Sequence, residues 1–370
     1  MARSIAARAE RELRSLVGVS SPSGDVAGAE EALAVAEALA PEEAVAQRVP
    51  CSSPEHAPDL ILRLAGTGGG RLLLVGHVDT VIAHRAHRPL TEEGDRLAGS
   101  GTVDMKGGVV LALGVLRALA ARTRDFGETA LLLVCDEEWR TAPFGHAARF
   151  EGFDACLCFE AGQLTEDGED AVVVKRKAAG TLRVRAHGRQ AHSGSAPDRG
   201  INALLALAQA AQLVAAHHAP AGEDRLTAVP TVMRSGDAFN VVPAEGELIG
   251  DLRADDHRAF ESVRAAIPAE LAGARMETEM LRVWPGMDSR DFTAGLLVRA
   301  SEALGRRVVA AGRGGASDAS HFAASIPVTV DGLGPRGGGA HAPHEYILRD
   351  SLRSRAEVAA AMVHAWLDRG

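Results

Sequence analysis

The chain of 370 residues is poor in aromatic side chains and cysteines and has no long apolar run. Aromatic residues make up 4% of it, and Cys51, Cys135, Cys156 and Cys158 form no paired C-x-x-C clusters. This pattern argues against a structural zinc site or a disulfide framework and is typical of reduced thiols on buried strands. No stretch approaches the roughly 18 uncharged apolar residues of a membrane span, so no membrane partner is expected.

Basic clusters and several common motifs are also missing. The net charge is −9 and no Lys/Arg run exceeds three residues, so a nucleic-acid partner is not expected. The absence of a G-x-S-x-G elbow argues against an α/β serine hydrolase. Residues 1–19 alternate charged and apolar positions at helical spacing and lack the apolar core of a signal peptide, which predicts a cytoplasmic protein.

Apolar periodicity predicts alternating strands and helices through the first half of the chain. This alternation is typical of an α/β fold with a mostly parallel sheet and helices on both faces. The expected helices are 4–17, 27–40 and 105–121, and the expected strands are 59–66, 71–76, 130–135 and 155–160.

Over about 180–285 the pattern changes to strand-helix-strand-strand-helix-strand, which predicts an inserted antiparallel α+β domain. The strands are 181–188, 226–236, 247–255 and 275–283, and the helices are 201–216 and 257–271. Helices 292–305 and 351–368 and strands 307–311 and 327–330 would complete the first domain. The predicted domains are therefore 1–179 and 286–370 for the catalytic domain and 180–285 for the insert.

Polar residues follow several of the apolar strands. His77 and Asp79 come two apart after the strand at 71–76, so Asp79 can accept the second ring N–H of His77, as in carboxylate–histidine–metal arrangements. Taken alone, such a pair is more often structural than metal-binding. Asp104 taken alone is better explained as the N-cap of the helix that follows it than as a metal ligand.

The combined pattern favours a metal centre, because ligands bind at the carboxyl ends of strands in open α/β sheets. Imidazole and carboxylate donors without thiolate suit Zn²⁺, Mn²⁺ or Co²⁺, and two metals sharing one aspartate are typical of amide and phosphate hydrolases. Glu138 would then bind a metal, while Glu137 would be the general base. The candidate residues at strand and loop ends are His77, Asp104, Glu137, Glu138, Glu160, His341, His344 and Glu345.

Eight motifs, in this order, resemble those of a co-catalytic metallopeptidase family. They are GHVDTV, GSGTVDMKGG, DEE, FEAG, GRQAHSGSAPDRGINA, NVVP, GGASD and GAHAPHEY. The family includes glutamate carboxypeptidase, acetylornithine deacetylase, succinyl-diaminopimelate desuccinylase, aminoacylase and peptidase T. DMKGG, FEAG and AHSGSAPDRGINA look closest to the glutamate-carboxypeptidase-like branch. The resemblance implies a zinc-exopeptidase-like catalytic domain with an inserted ferredoxin-like lid and dimerisation domain.

The resemblance also implies two zinc ions per subunit, with Co²⁺ or Mn²⁺ possible in their place. Asp104 would bridge the two ions. Glu137 would deprotonate the attacking water and pass the proton to the leaving amine, and Asp79 would orient His77. The ligands would be His77, Asp104 and Glu160 for one ion and Asp104, Glu138 and His341 for the other.

In the insert, the resemblance implies that His192 stabilises the oxyanion from the neighbouring subunit of a homodimer. Asn240 and Arg253 would bind substrate, with Arg253 gripping its free carboxylate. The Gly314–Gly315 loop, with Ser317 and Asp318 after it, would line the pocket. Without the family, His192 would be a surface histidine, Arg253 a solvated charge and Asn240 a turn residue.

The chain departs from the family pattern at three places, one of which is VVVKRKAAG, where the Arg-Lys-Gly common near the hinge is interrupted. Trp139 and Arg140 follow the acidic pair where the family often has small residues, so Arg140 could alter the pocket rim or form a local ion pair. His344 occupies the place of a family asparagine, which leaves two candidate ligands. His341 is preferred because its four-residue spacing to Glu345 fits the family pattern.

The predicted function is hydrolysis of an amide bond next to a free carboxylate, by a dizinc exopeptidase acting on small peptides. The alternative enzyme is an N-acyl-amino-acid deacylase, which cleaves the same kind of bond. A catalytically silent metal-binding scaffold is the alternative from another class, and the presence of Glu137 argues against it.

Overall fold

The computed structural model describes residues 1–122 and 124–368, and this part of the chain forms two compact units. The second unit comprises Arg176–Met287 and Arg313–Ala316, and the first unit comprises the remainder. The sequence analysis predicted boundaries at 179/180 and 285/286, whereas the structure divides the chain at 175/176 and 287/288. Residues 123, 369 and 370 of the predicted ranges lie outside the described residues.

Eight α-helices and twenty-one strands are found in the described part of the chain. The helices are α1 (Ala2–Val17), α2 (Val26–Ala38), α3 (Gly107–Arg122), α4 (Ala203–Ala216), α5 (Phe260–Ala265), α6 (Arg290–Leu304), α7 (Ala319–Phe322) and α8 (Ser351–Leu367). The strands are β1 (Val45–Val49), β2 (Asp59–Ala65), β3 (Arg71–His77), β4 (Thr91–Glu93), β5 (Arg96–Ala98), β6 (Glu128–Val134), β7 (Ala155–Cys158), β8 (Gln163–Leu164), β9 (Asp170–Arg176), β10 (Ala178–His187), β11 (Ala191–His192), β12 (Thr227–Ser235), β13 (Val241–Val242), β14 (Glu245–Ala254), β15 (Glu270–Leu271), β16 (Ala274–Trp284), β17 (Met287–Asp288), β18 (Val308–Arg313), β19 (Val328–Val330), β20 (Gly337–Gly338) and β21 (Tyr346–Leu348).

The first unit is built on a six-stranded sheet in the order β1-β2-β6-β3-β7-β19. The neighbours β6, β3, β7 and β19 are parallel, while β1 and β2 add an antiparallel edge. The parallel strands consist of continuous apolar runs because both of their faces are buried. Leu72 and Leu74 of β3 pack in one core with α1, α3 and α8, while α7 contacts β7 and β19. The predicted α/β fold with a mostly parallel sheet is confirmed.

Helix α3 lies unusually close to the sheet. A Cβ atom at Gly108 would fall 1.8 Å from the carbonyl oxygen of Phe159, the residue after β7. Only glycine permits this approach of two backbones. The Gly-Gly pair that begins α3 therefore brings the loop before this helix to the carboxyl end of β7.

The second unit contains a five-stranded antiparallel sheet in the order β12-β14-β10-β16-β15. Its four long strands and two helices follow the ferredoxin-like sequence of elements. Helices α4 and α5 pack with one face of the sheet in a separate core that includes Leu182, Leu207 and Phe260. The other face carries ion pairs such as Arg185 with Glu247.

One predicted helix in this unit is too long. The pattern at 257–271 predicts a single helix, but the structure has a 3₁₀ turn at His257–Ala259, then α5 and then strand β15. Pro268 explains the early end, because a proline disfavours helical geometry in the residue before it and cannot donate a backbone hydrogen bond.

The first helix of this unit, α4, begins at a side-chain cap. The Oδ1 atom of Asn202 accepts hydrogen bonds from the backbone N–H groups of Leu204 and Leu205, at 2.9 and 3.2 Å. Asparagine is a favoured N-cap because its side chain satisfies N–H groups that have no partner within the helix. The predicted helix at 201–216 therefore starts at Ala203.

None of the helices within 1–122 and 124–368 has the length and apolar character needed to cross a membrane.

A charged cluster joins the starts of β3 and β6 to the end of β2 in the first unit. Glu128 of β6 accepts hydrogen bonds from Arg71 of β3, at 3.1 and 2.8 Å, and from Arg63 of β2. Burial opposes ionisation of Glu128, but the hydrogen bonds from both arginines outweigh it and lower the carboxyl pKa below its ordinary value. The ionised carboxylate therefore stabilises this end of the sheet.

We expect Glu128→Gln to lower the free energy of unfolding by about 1–2 kcal/mol at neutral pH. Because the folded-state pKa is depressed, this stabilisation is complete above the ordinary value of 4.5 and is lost as the pH falls through the folded-state value. Urea unfolding at a series of pH values should show the difference between variant and parent narrowing as the pH falls below the ordinary carboxyl pKa of 4.5. A difference that stays constant would contradict this account. Glu43→Gln, at a more exposed pair 3.7 Å from Arg124, is the control.

Candidate metal centre

Three neighbouring strands of the parallel sheet deliver polar residues to one edge. His77 ends β3 and lies opposite Val134, the last residue of β6. The acidic turn, Cys135–Glu138, follows Val134 directly and therefore lies beside His77. On the other side, β7 pairs with β3 and is followed by Glu160. Parallel pairing thus brings side chains that are far apart in sequence to the carboxyl edge of the sheet.

The imidazole of His77 is buried and held between carboxylates. Its Nδ1 atom lies 3.0 Å from the backbone oxygen of Asp79 and 3.2 Å from Oδ1 of the same residue. Its Nε2 atom lies 3.1 Å from Oδ1 of Asp104 and 3.8 Å from Oε1 of Glu160. Two acceptors at Nδ1 place the ring proton there, which leaves Nε2 as the nitrogen available to a metal.

Asp79 also holds the acidic turn. Its carboxylate oxygens accept hydrogen bonds from the backbone N–H groups of Glu137, at 3.3 Å, and Glu138, at 3.0 Å. One fully buried carboxylate therefore orients His77 and fixes the backbone of the two glutamates. The predicted orienting role of Asp79 accounts for only the first of these interactions.

Asp104 does not cap a helix, so that interpretation of the sequence is wrong. It lies in a π-type turn at Thr102–Lys106 with non-helical backbone angles, and α3 begins after this turn. Its Oδ1 atom faces Nε2 of His77, while its Oδ2 atom lies 3.1 Å from Nε2 of His341. A carboxylate with one oxygen toward each of two imidazoles has the arrangement expected of a bridging ligand.

Glu345 supports the loop that carries Asp104. Its carboxylate accepts three backbone hydrogen bonds, from Gly101 at 2.7 Å, Val103 at 2.8 Å and Asp104 at 3.0 Å. The pairing of β21 with β5 places Glu345 beside this loop. The sequence motif included Glu345 but gave no sign of this function, because its partners lie more than 240 residues away.

The two late histidines have different positions. Nε2 of His341 lies 3.1 Å from Oε2 of Glu138, in addition to its approach to Asp104. The ring of His344 is exposed at the surface. Hydrogen bonds with Asp104 and Glu138 raise the pKa of His341 to about 10. The geometry favours His341 over His344 as the metal ligand.

The site concentrates negative charge where water is scarce. Burial raises the pKa of Glu137 well above its ordinary value, and Asp318, Glu160 and Glu138 raise it further while His77 opposes the shift. A divalent cation reverses this trend because it stabilises the ionised carboxylates. Potential ligand atoms of His77, Asp104 and Glu138 lie within 4.8 Å of one another. Imidazole and carboxylate donors without thiolate fit Zn²⁺, Mn²⁺ or Co²⁺.

Arg140 occupies a position that the sequence left open. Its guanidinium is buried, and it binds Asp136 through Nε at 3.1 Å and Asp318 through Nη1 at 2.7 Å. The possibility of a local ion pair is therefore the one found, with Asp136 as the local partner. The partnership with Asp318 had no signal in the sequence, since 178 residues separate the two.

His192 and Asn240 lie together in the second unit. Strand β11 pairs with β13 so that His192 is opposite Val241, and the backbone oxygen of Asn240 accepts a hydrogen bond from Ser193. Nδ1 of His192 accepts hydrogen bonds from the N–H groups of Gly194 and Ser195, at 3.1 and 3.2 Å. The ring is exposed and carries its proton on Nε2, where it can be donated.

Three further predicted residues have contrasting surroundings. Arg253 lies on β14 and binds Asp251 through Nε and Nη2, with distances of 3.0–3.2 Å. Gly315 is exposed, and its carbonyl accepts a hydrogen bond from Arg176 at 2.9 Å. Ser317 belongs to the first unit, where its hydroxyl is fully buried and donates to Asp331 at 2.6 Å. The Ser317 side chain thus has a structural bond and no exposed surface for substrate.

Comparison with known proteins gives matches over most of the chain. A sequence profile of the peptidase family M20/M25/M40 matches residues 73–365. Carboxypeptidase G2 from Pseudomonas sp. (strain RS-16) is 27% identical over 323 residues, which cover 82% of this chain and 76% of that protein. Succinyl-diaminopimelate desuccinylase from Methylobacterium nodulans is 31% identical over 313 residues, covering 77% of this chain and 78% of that protein.

Solved structures agree with this fold. The crystal structure of aminopeptidase PepT from Bacillus cereus superposes with a TM-score of 0.78 at 20% identity, covering 97% of this chain and 98% of that one. The relatives include peptidases and desuccinylases, and the donors assembled at the sheet edge fit a metal ion. The resemblance found in the motifs is confirmed: this chain is a metal-dependent hydrolase and belongs to the peptidase family M20/M25/M40.

Proposed function

We propose that this hydrolase is a dizinc exopeptidase of the glutamate-carboxypeptidase type, which cleaves an amide bond next to a free carboxylate. The observation that carries the proposal is the position of Asp104, whose two carboxylate oxygens face His77 and His341 separately. One metal would be held by His77, Asp104 and Glu160, and the other by Asp104, Glu138 and His341. Bound zinc ions would polarise the scissile carbonyl and lower the pKa of the attacking water.

Glu137 is the proposed general base. It follows Asp136 at the end of the strand, and its neighbour Glu138 turns toward His341. Glu137 would take a proton from the attacking water and deliver it to the leaving nitrogen. Asp79 supports this step because it holds the N–H groups of both glutamates.

The proposed contributions of the second unit rest on hydrogen-bonding capacity. His192 would donate its Nε2 proton to the developing oxyanion, which suits a ring whose other nitrogen is held by two backbone N–H groups. Arg253 would bind the free carboxylate of the substrate through its planar fork, and Asn240 and the peptide groups around Gly315 would bind the remaining polar atoms. Ser317, proposed from the sequence as a substrate ligand, would act indirectly through its bond to Asp331.

N-acyl-amino-acid deacylation is the second candidate function. Succinyl-diaminopimelate desuccinylases recur among the relatives, at 29–31% identity. A deacylase also cleaves an amide next to a carboxylate, so the same base, ligands and arginine would serve it. A catalytically silent scaffold is a weaker candidate because the proposed base and all proposed ligands are present.

We further propose a homodimer formed through the second unit. Strand β12 lies at the edge of its sheet and carries the exposed apolar residues Val229, Val232 and Met233. Helix α4 exposes Leu204 and Leu205. An unpaired edge strand with apolar side chains is a surface that readily pairs with a second copy.

The proposed reaction predicts two zinc ions per chain and hydrolysis that stops when they are removed. Elemental analysis should be combined with amino-acid release from dipeptides and from acetyl- and succinyl-amino acids, before and after chelation. Turnover of dipeptides supports the exopeptidase, whereas turnover of acyl-amino acids alone identifies the deacylase. A chain that binds no metal and stays inactive with added zinc, manganese or cobalt would refute both.

Glu137→Gln should reduce kcat by about 10²-fold or more while leaving the metal content unchanged, because it removes the base and retains the shape of the side chain. Elemental analysis and steady-state kinetics measure the two effects. Glu166→Gln, at an exposed position, is the matched control. Loss of metal from the Glu137 variant would show that this residue is a ligand instead.

A mixed dimer tests the proposed action of His192 in the neighbouring subunit. His192→Ala and Glu137→Gln subunits carrying different tags should each be inactive alone. A purified mixed dimer would contain one complete site, so its turnover should recover to about half of the wild-type value. An inactive mixed dimer would show that His192 acts within its own subunit, whereas an active His192→Ala parent would show that it has no role.

A further inference from the structure

A buried arginine bridges two carboxylates directly behind the acidic turn. Nε and Nη2 of Arg140 bind Oδ1 of Asp136, at 3.1 and 2.9 Å. Nη1 and Nη2 bind the two oxygens of Asp318, at 2.7 and 3.2 Å. The guanidinium also lies over the ring of Phe144, 4.8 Å from its centre. The two arms of the guanidinium fork are thus each occupied by a carboxylate.

Stability alone does not explain this cluster. Taking three charged groups out of water is costly, and well-packed apolar residues of similar volume often stabilise a fold as well or better. What an arginine fork adds is a fixed geometry, because its planar donors accept carboxylates only in defined directions. Because the cluster includes Asp136, the geometry that it fixes is that of the acidic turn.

Arg140 is one part of a set of anchors on the acidic turn. Asp136 also accepts hydrogen bonds from the N–H and hydroxyl of Ser53, at 2.9 and 2.8 Å. The N–H of Cys135 is bound by Asp59 at 2.8 Å. Asp79 accepts hydrogen bonds from the next two N–H groups, those of Glu137 and Glu138. Each residue from Cys135 to Glu138 is therefore held in place by hydrogen bonds that involve a buried carboxylate.

The other end of the bridge lies on a different part of the chain. Asp318 precedes the short helix α7, and Ser317 before it is anchored to Asp331. Arg140 therefore ties the acidic turn to a segment that is itself fixed in the first unit. The turn cannot shift without breaking at least one bidentate bond in a buried environment.

We propose that Arg140 is a positioning residue, which sets the placement of Glu137 and Glu138 through its bridge between Asp136 and Asp318. Its effect on zinc affinity follows from the position of Glu138 and needs no catalytic measurement. Its effect on turnover rests on the function proposed above for Glu137.

The test compares Arg140→Lys with Arg117→Lys. Lysine keeps the charge but cannot bind both carboxylates as a fork. Arg117 is a matched control, because it is also largely buried and paired, with Glu12 at 2.6 Å and the Leu39 carbonyl, and it contacts no residue of the acidic turn. Zinc affinity is measured by competition with a chromophoric chelator. Steady-state kinetics are measured on the best substrate, and folding is checked by urea denaturation.

We expect Arg140→Lys to weaken zinc binding by about 10–100-fold, as loss of groups that orient metal ligands does. A similar loss is expected in kcat, with a smaller change in KM, since displacement of a base by about 1 Å is enough to produce it. Arg117→Lys should leave zinc affinity and kcat unchanged.

Unchanged zinc affinity and kcat in a folded Arg140→Lys variant would overturn the proposal and leave Arg140 a purely structural residue. If that variant fails to fold, Asp318→Asn keeps the Asp136 pair and loses one arm of the bridge. Asp318→Asn should lose zinc affinity and kcat as well, but by smaller factors. Normal zinc binding by this variant would equally overturn the proposal. A wild-type chain that binds zinc but hydrolyses no substrate refutes the proposed function and still allows the zinc comparison.

Discussion

The structure around the metal centre depends on how buried carboxylates are compensated at the carboxyl edge of one sheet. Each ionised group there needs a hydrogen-bond donor, a cation or a proton, because burial without one costs several kcal/mol. One set is compensated by the protein itself, through backbone N–H groups, a histidine or an arginine. Its members are Asp59, Asp79, Asp136, Asp318 and Glu345. The other set faces imidazoles across the centre and consists of Asp104, Glu138 and Glu160. This difference separates the carboxylates that shape the site from those suited to hold metal.

Sheet order explains why these groups meet. Strand β3 is central among the parallel strands, with β6 on one side and β7 on the other, so His77 has the acidic turn and Glu160 as its neighbours. Asp104 arrives from a different direction, on the turn before α3. The contact between Gly108 and the Phe159 carbonyl brings that turn close to the end of β7. The candidate metal centre is therefore a consequence of strand register and of one close approach between backbones.

Much of this site could be predicted from the sequence because its signals are local. An apolar run ending in His-x-Asp, or in consecutive acidic residues, indicates the polar end of a buried strand without any knowledge of the fold. The supports of the site have no such signal, since Arg140 and Asp318 are 178 residues apart and His146 lies 87 residues from Asp59. Asp104 shows the opposite failure: its position before a helix suggested a cap, but tertiary contacts with two imidazoles determine its conformation.

Both candidate reactions break an amide bond beside a carboxylate, so the proposed base and metal ligands are common to them. Recognition of the carboxylate is proposed for Arg253, whose fork is already occupied by Asp251. That pair is partly exposed, so its net contribution to stability is small and an exchange of carboxylates is feasible. A substrate carboxylate that replaced Asp251 would form an equivalent pair and release Asp251 to water, without leaving a buried charge unpaired. Affinity would then depend chiefly on what the rest of the substrate contacts, which is where a dipeptide and an acyl-amino acid differ.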